Sequence, residues 1–206
     1  MTMLDPNKSY TFRNYFELRI DALELAQYFG YRFTKRQLAL KHYAGELDRL
    51  PALRSDILDI LPRLVRSNEQ AKREALIFPV VKTVAHYADT LLRIEYPIKV
   101  SEQLQGTIDY LLSIDNLQQL TVIEAKQGDI DYGFTQLTAE LIALDHWEQC
   151  PSIEQQPILI GAVTMGDLWR FGQLKRQDKV ITEDINSYRV PEDLDALLRV
   201  LIAAFE

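Results

Sequence analysis

The pattern of apolar and polar residues over the first third of the chain is typical of helices. Apolar residues recur at helical spacing before Gly30, which predicts the end of a helix there. Thr34 is the expected N-cap of a second helix over residues 35–49, and Pro51 begins a third helical segment. The pattern therefore predicts that residues 1–66 form a helical N-terminal extension.

A further helix is predicted over residues 67–88. Leu76, Val80 and Val84 fall on one face of it, as expected of a helix that packs against a core. Pro79 lies in the middle of the pattern, where a proline removes a backbone hydrogen bond and clashes with the preceding turn. We expect Pro79 to kink this helix or divide it.

From residue 90 onward the apolar period changes to that of strands. The stretches "GTIDYLLSI" and "LQQLTVIEAK" flank Asp115-Asn116, a typical turn pair, and are predicted to form a hairpin after the strand "TLLRIEYPIKV". Helical spacing returns over residues 131–149. A strand, turn and strand follow in "PILIGAVTMGDLWRFGQLKR", then an extended segment "KVITEDINSYRV" and a closing helix that begins near Pro191.

This order of elements predicts the α/β class: a mixed sheet flanked by helices over residues 67–206, with the helical extension before it. At 206 residues and 47% hydrophobic, the chain is long enough for one ordinary core. No apolar run approaches the roughly 18 residues of a membrane span, and the N-terminus lacks the layout of a secretory signal. We therefore expect a cytoplasmic protein with no membrane partner.

The number of cysteines and the net charge exclude some classes of site and argue against one class of function. Cys150 is the one cysteine, which excludes an internal disulfide and a cysteine-rich zinc site. The net charge of −7 argues against a protein that coats nucleic acid non-specifically. Residues 1–67 hold 11 Lys and Arg against 8 Asp and Glu, whereas residues 68–206 hold 12 against 22. The acidic part of the chain could thus bind a cation.

Three charged residues stand inside two of the predicted apolar strands: Asp109 in the first, and Glu124 and Lys126 in the second. Ionised side chains are costly in such places unless another group compensates them. If the two strands are antiparallel neighbours, the three side chains can converge at one edge of the sheet. Two carboxylates suit Mg²⁺, or Mn²⁺ in its place, and an adjacent lysine can position a water molecule. Two carboxylates, a bound metal ion and a lysine are the groups that metal-assisted hydrolysis of phosphodiester bonds requires.

Asp109, fourteen intervening residues and Glu124-Ala125-Lys126 resemble the motif of the PD-(D/E)xK nuclease superfamily, which has the restriction-endonuclease-like fold. The segment "VIEAK" is similar to the corresponding segment in the N-terminal nuclease domains of type I restriction subunits. Ile108 stands in place of the proline of the family name. The resemblance covers about half of the chain and carries no information about the first 66 residues.

The resemblance implies a role for each matched residue. Asp109 and Glu124, with the backbone carbonyl of Ala125, would bind Mg²⁺, and Lys126 would position or activate the attacking water. The family's acid on the helix before the sheet corresponds to Glu69, with Glu74 as the alternative, and would complete an outer shell of the metal. The glutamine on the helix after the motif corresponds to Gln136, which would orient Lys126 or a phosphate. The implied activity is cleavage of nucleic acid, in the first place DNA.

Other interpretations of the same residues stay open. Asp109 and Lys126 could form a cross-strand ion pair with no catalytic role. The protein could then be an inert nuclease-fold module that binds nucleic acid or another protein, or an assembly protein in which the N-terminal helices pair two copies. Lys175, Arg176 and Lys179 are expected to form a solvated basic face or to contact a nucleic-acid backbone.

Overall fold

The computed structural model of the chain describes residues 4–65, 69–114, 118–124 and 130–206, and gives only the backbone for Glu69 and for residues 118–124. Within these residues eight strands form one mixed sheet: β1 (Arg32–Arg36), β2 (Leu91–Lys99), β3 (Gln105–Ile114), β4 (Gln118–Glu124), β5 (Ile158–Thr164), β6 (Leu168–Lys175), β7 (Val180–Asp184) and β8 (Tyr188–Arg189). The helices are α1 (Phe12–Glu17), α2 (Ala22–Tyr28), α3 (Leu50–Ile60), α4 (Glu69–Lys72), α5 (Phe78–Tyr87), α6 (Ile130–His146) and α7 (Leu194–Ala203), with a 3₁₀ turn over Leu61–Arg63 and a π-helical turn over Arg73–Ile77.

The strand order is β1-β7-β6-β5-β4-β3-β2, with β8 paired to β6. Two neighbouring pairs are parallel, β1 with β7 and β4 with β5, and the other pairs are antiparallel. Helix α6 connects the parallel strands β4 and β5, so these three elements form a βαβ unit. The carboxyl end of β4 therefore leads towards the N-terminus of α6, a common place for a binding site in α/β proteins.

Two apolar clusters cover the two faces of the sheet. Helices α1, α2 and α6 bury side chains such as Tyr15, Leu25 and Leu141 on one face. Helices α3, α5 and α7 pack on the other face, where Trp169 is fully buried. Full burial of one large apolar side chain stabilises a fold by about 1.5–3 kcal/mol, so both helical layers contribute to holding the sheet in place. The α/β class and the mixed sheet with flanking helices are confirmed.

The helix predicted over residues 35–49 is wrong. Residues 32–36 form β1, which pairs with β7 in parallel, and the hydroxyls of Thr34 and Thr182 lie 3.2 Å apart. Lys35 Nζ lies 3.0 Å from a carboxylate oxygen of the buried Glu183. This strand depends on a partner far away along the chain, and local spacing carries no information about such a partner. The first third of the chain is thus not wholly helical, while the domain boundary at residue 66 stays a prediction.

The helix predicted over residues 67–88 is divided, as expected from Pro79. A π-helical turn replaces the α-helical pattern over Arg73–Ile77, and α5 begins directly afterwards. Pro79 has no N–H to donate to the carbonyl of Ala75, and in a regular α-helix its ring would clash with that carbonyl. A widened turn relieves both problems and keeps Leu76 and Val80 in the core.

The strands predicted after residue 90, α6, the pair β5–β6 and the closing helix are confirmed to within a few residues. The predicted hairpin turn at Asp115-Asn116 lies outside the described residues. None of the helices in the described ranges is long and apolar enough to cross a membrane. Helices α1 and α2 pack on α6 but leave Leu18 and Leu23 exposed, so pairing of two copies through the N-terminal helices stays a prediction.

Candidate functional site

The antiparallel ladder between β3 and β4 stops short of the charged positions. Its last pair is Tyr110 with Val122, whereas β4 stays paired with β5 as far as Glu124, which lies opposite Thr164. Asp109 is one residue beyond the end of the ladder on β3, and Glu124 is two residues beyond it on β4. The backbone therefore brings both acids to the same end of two neighbouring strands, where the strands separate.

The backbone is irregular at Asp109. The ladder between β2 and β3 pairs Ile94 with Tyr110 and Tyr96 with Ile108 but omits the positions between them, Glu95 and Asp109. Glu95 has a φ of +52°, a left-handed conformation that non-glycine residues seldom adopt. Ile108 and Tyr110 belong to apolar clusters on opposite faces of the sheet, although a regular strand would place them on the same face. Asp109 is thus the point at which the strand exchanges its faces.

The side chain of Asp109 is about one quarter exposed and lies beside Arg73. Arg73 Nη1 is 3.8 Å from Asp109 Oδ1 and donates to Glu95 Oε1 at 3.2 Å. Arg73 Nε donates to the hydroxyl of Tyr110 at 3.2 Å, and the guanidinium lies over the ring of Tyr110, 5.1 Å from its centroid. Burial opposes the charge of Arg73, but the hydrogen bond to Tyr110 and the neighbouring carboxylates raise its pKa above the ordinary value.

Helix α6 supplies a second acid near Asp109. Glu140 is completely buried; its Oε1 accepts a hydrogen bond of 3.0 Å from Gln136 Nε2, and its Oε2 has no hydrogen-bond partner among the described residues. Burial raises the pKa of Glu140 well above its ordinary value, the hydrogen bond from Gln136 opposes this shift, and the charge of Asp109 adds to it. A buried acid with an unsatisfied oxygen is unusual in a structural core and typical of functional sites.

The structure describes the other site residues predicted from the sequence only in part. Glu124 ends β4 and Glu69 begins α4, and for both the backbone alone is described. Ala125 and Lys126 lie outside the described residues. Glu74 is exposed in the π-helical turn, one residue after Arg73. Among the side chains that the structure describes, no three of His, Cys, Asp and Glu are grouped closely enough to hold a metal ion.

Sequence reasoning missed Arg73 and Glu140 as members of this site. A signal exists for Glu140, because Gln136 and Glu140 are four residues apart on the predicted helix and so share one face. For Arg73 the sequence gives only a place within the helix predicted over residues 67–88. Its contact with Asp109 depends on the π-helical turn and on the left-handed Glu95, neither of which spacing reveals.

The predicted basic face is wrong for Arg176. Its guanidinium is buried, pairs with Asp145 Oδ1 at 2.6 Å, and donates to the carbonyls of Pro151 and Gln156 at 2.7 and 3.0 Å. The hydroxyl of Tyr31 donates to the other oxygen of Asp145 at 2.6 Å. Arg176 therefore joins the loop after α6 to the end of β6 and is not accessible to a phosphate.

Neither the models of known protein families nor the curated protein sequences give a match to this chain. The arguments about function consequently rest on the residues and on their geometry.

Proposed function

We propose that the chain is a Mg²⁺-dependent nuclease with a restriction-endonuclease-like fold, and that it hydrolyses phosphodiester bonds of nucleic acid, in the first place DNA. The observation that supports this proposal most is the position of Asp109 and Glu124. They lie on neighbouring strands where the β3–β4 ladder ends, and the charge of Asp109 contributes to the raised pKa of Glu140 on α6. Placing ionised acids at the end of two core strands costs free energy, and binding of a cation would compensate that cost.

The residues near Asp109 fit a hard divalent cation. Asp109 is a partly exposed carboxylate that a ligand can reach from solvent, and carboxylates are the oxygen donors that Mg²⁺ prefers. The Oε2 of the buried Glu140 has no hydrogen-bond partner among the described residues, and the charge of Asp109 contributes to the raised pKa of Glu140. A cation bound by Asp109 would offset the negative charge of its carboxylate.

Each residue has a separate role in the proposed reaction. Asp109, Glu124 and the carbonyl of Ala125 hold Mg²⁺, which Mn²⁺ can replace, and Glu69 orients a water of its outer shell. When bound, the cation supplies positive charge to the reacting phosphate and makes a water more acidic. Lys126 positions the attacking water and offsets the negative charge that develops on the phosphate oxygens.

The role of Gln136 is to orient the site from α6. One N–H of its side-chain amide is already committed to Glu140 at 3.0 Å. This hydrogen bond fixes the amide plane, which leaves the other N–H and the carbonyl oxygen for Lys126 or for a phosphate oxygen. A fixed donor costs less reorganisation during the reaction than a mobile one.

Cleavage of DNA by matched variants tests the proposal. Supercoiled, linear and branched DNA are incubated with the protein and Mg²⁺ or Mn²⁺, beside Asp109→Asn and Lys126→Ala and the control Asp178→Asn, which removes an exposed acid before β7. We expect metal-dependent cleavage by the native chain and the control, and none by the other two variants. Cleavage that survives Asp109→Asn and Lys126→Ala would contradict the catalytic assignment.

One observation favours a second candidate, an inert module of the same fold that binds nucleic acid or protein. Arg73 Nη1 lies 3.8 Å from Asp109, so an arginine already compensates part of the charge of that acid. In such a module the ion pair holds the π-helical turn against β3. Calorimetry distinguishes the two, because the nuclease binds Mg²⁺ through Asp109 and the inert module does not.

A further inference from the structure

A cavity of about 560 Å³ opens between the π-helical turn and the strands β2 and β3, and Tyr110, the residue after Asp109, forms part of its wall. Phe78, Ile94 and Tyr110 form its apolar walls, and Arg73, Glu74 and Glu95 supply its charged groups. Ligand sites typically measure roughly 300–1,000 Å³ and combine apolar walls with a few polar groups. Arg73 connects the cavity with the proposed catalytic acid, because the same Nη1 atom lies near both Glu95 and Asp109.

Two uncommon backbone features build this cavity. The π-helical turn places Arg73 and Glu74 on one side, and the left-handed Glu95 turns the strand on the other side. Turns of the first kind occur frequently at functional sites, and a left-handed non-glycine residue persists only where the surrounding structure enforces it. Their coincidence at one cavity indicates that the cavity serves a ligand.

The charges select the kind of ligand. Glu74, Glu95 and the adjacent Asp109 outnumber Arg73, so a phosphate group has no net attraction to this cavity. A neutral planar group fits better. Its amino groups can donate to the carboxylates of Glu74 and Glu95, and its flat face can pack against Phe78 or the guanidinium of Arg73, as bases pack on aromatic and arginine side chains.

We propose that this cavity binds one unpaired nucleobase next to the phosphodiester that is cleaved. The inference rests on the proposed nuclease function and adds a substrate class to it: strands with unpaired nucleotides, such as single strands, flaps or bulges. A paired base within a duplex cannot enter, because its face is stacked and its edge is occupied by its partner.

Binding is measured separately from cleavage, by fluorescence anisotropy in EDTA with labelled oligonucleotides. The probes are a fully paired DNA duplex, the same duplex with a three-nucleotide flap, and the single strand as DNA and as RNA. We expect the flap and the single strand to bind roughly five- to hundredfold more tightly than the duplex, the range associated with stacking of one base. Phe78→Ala should remove this advantage and leave duplex binding unchanged.

Two further variants test the same cavity in case Phe78→Ala does not fold. Ile94→Thr and Glu95→Gln alter exposed side chains of the cavity and keep residues that strands accept. Both should weaken flap binding several-fold. Phe29→Ala is the matched control, because it removes the same side chain from the other apolar cluster and should leave the preference for unpaired substrates intact.

The outcomes separate this inference from the proposed function. Equal affinity for the duplex and the flap, or a preference that survives all three cavity variants, overturns the inference even if the protein cleaves DNA. A preference that the cavity variants abolish, in a protein that cleaves nothing, supports the cavity and refutes the nuclease. Absence of binding to every probe overturns the inference, and the cleavage assay with Mg²⁺ decides the nuclease separately.

Discussion

The buried carboxyl of Glu140 makes the stability of the protein depend on pH in a defined direction. An unfolded chain releases the proton of this group near its ordinary pKa of 4.5, whereas burial holds the pKa of the folded state well above that value. Between the two pKa values the folded state therefore binds one proton more than the unfolded state. The stabilising contribution is complete below pH 4.5 and is lost progressively as the pH rises through this window.

The size of the effect follows from the proton count. One extra proton in the folded state lowers the free energy of unfolding by about 1.4 kcal/mol for each pH unit of increase. Glu140→Gln keeps the shape of the side chain and removes the titration. Between the two pKa values, the difference in free energy of unfolding between the native chain and Glu140→Gln should thus fall by roughly 1.4 kcal/mol per pH unit.

Urea unfolding at pH 5, 6 and 7, followed by the fluorescence of Trp147 and Trp169, measures this difference. Glu148→Gln is the control, because it makes the same substitution at an exposed acid just after α6. Asp109→Asn removes a charge that raises the pKa of Glu140, so the window should end at a lower pH in that variant. A difference between the native chain and Glu140→Gln that stays constant from pH 5 to 7 would refute the reasoning.

Three further predictions concern other parts of the structure. Lys126→Ala should lower the rate of DNA cleavage by about 10²- to 10⁴-fold while Mg²⁺ binding, measured by calorimetry, stays within a factor of a few. Asp145→Ala leaves the buried guanidinium of Arg176 without its carboxylate and should reduce the free energy of unfolding by about 3–5 kcal/mol in urea titrations. Gly166→Ala should cost about 1–3 kcal/mol in the same assay, because Gly166 has a φ of +93° and an added Cβ would lie 3.2 Å from Leu76. A loss below 1 kcal/mol in either of the last two would contradict the packing described around Arg176 or at the turn before β6.

The sequence predicts an element well where the apolar residues of that element alone show which of its faces is buried. Helix α6 and the strands β3, β5 and β6 have long apolar periods, and each forms close to its predicted bounds. The division of the helix at Pro79 was predictable because the cause is local. The same locality explains the failure at β1, since residues 32–36 are mostly exposed and become a strand through their pairing with β7.

The candidate site was predictable in its residue types and in the strands that carry them. Spacing placed Asp109 and Glu124 on neighbouring strands, and the backbone register agrees with that placement. The surroundings of Asp109 were not predictable. They depend on the left-handed Glu95, the widened turn at Arg73 and the burial of Glu140, all of which arise from tertiary packing.

The central claim is that Asp109 and Glu124 together hold a divalent cation, and titration with Mn²⁺ followed by electron paramagnetic resonance tests it most directly. Asp109→Asn and Glu124→Gln remove one ligand charge each, and Asp178→Asn serves as the control. The account predicts Mn²⁺ binding by the native chain and by the control, and at least about tenfold weaker binding by the other two variants. Mn²⁺ binding to Asp109→Asn with the affinity of the native chain would contradict it.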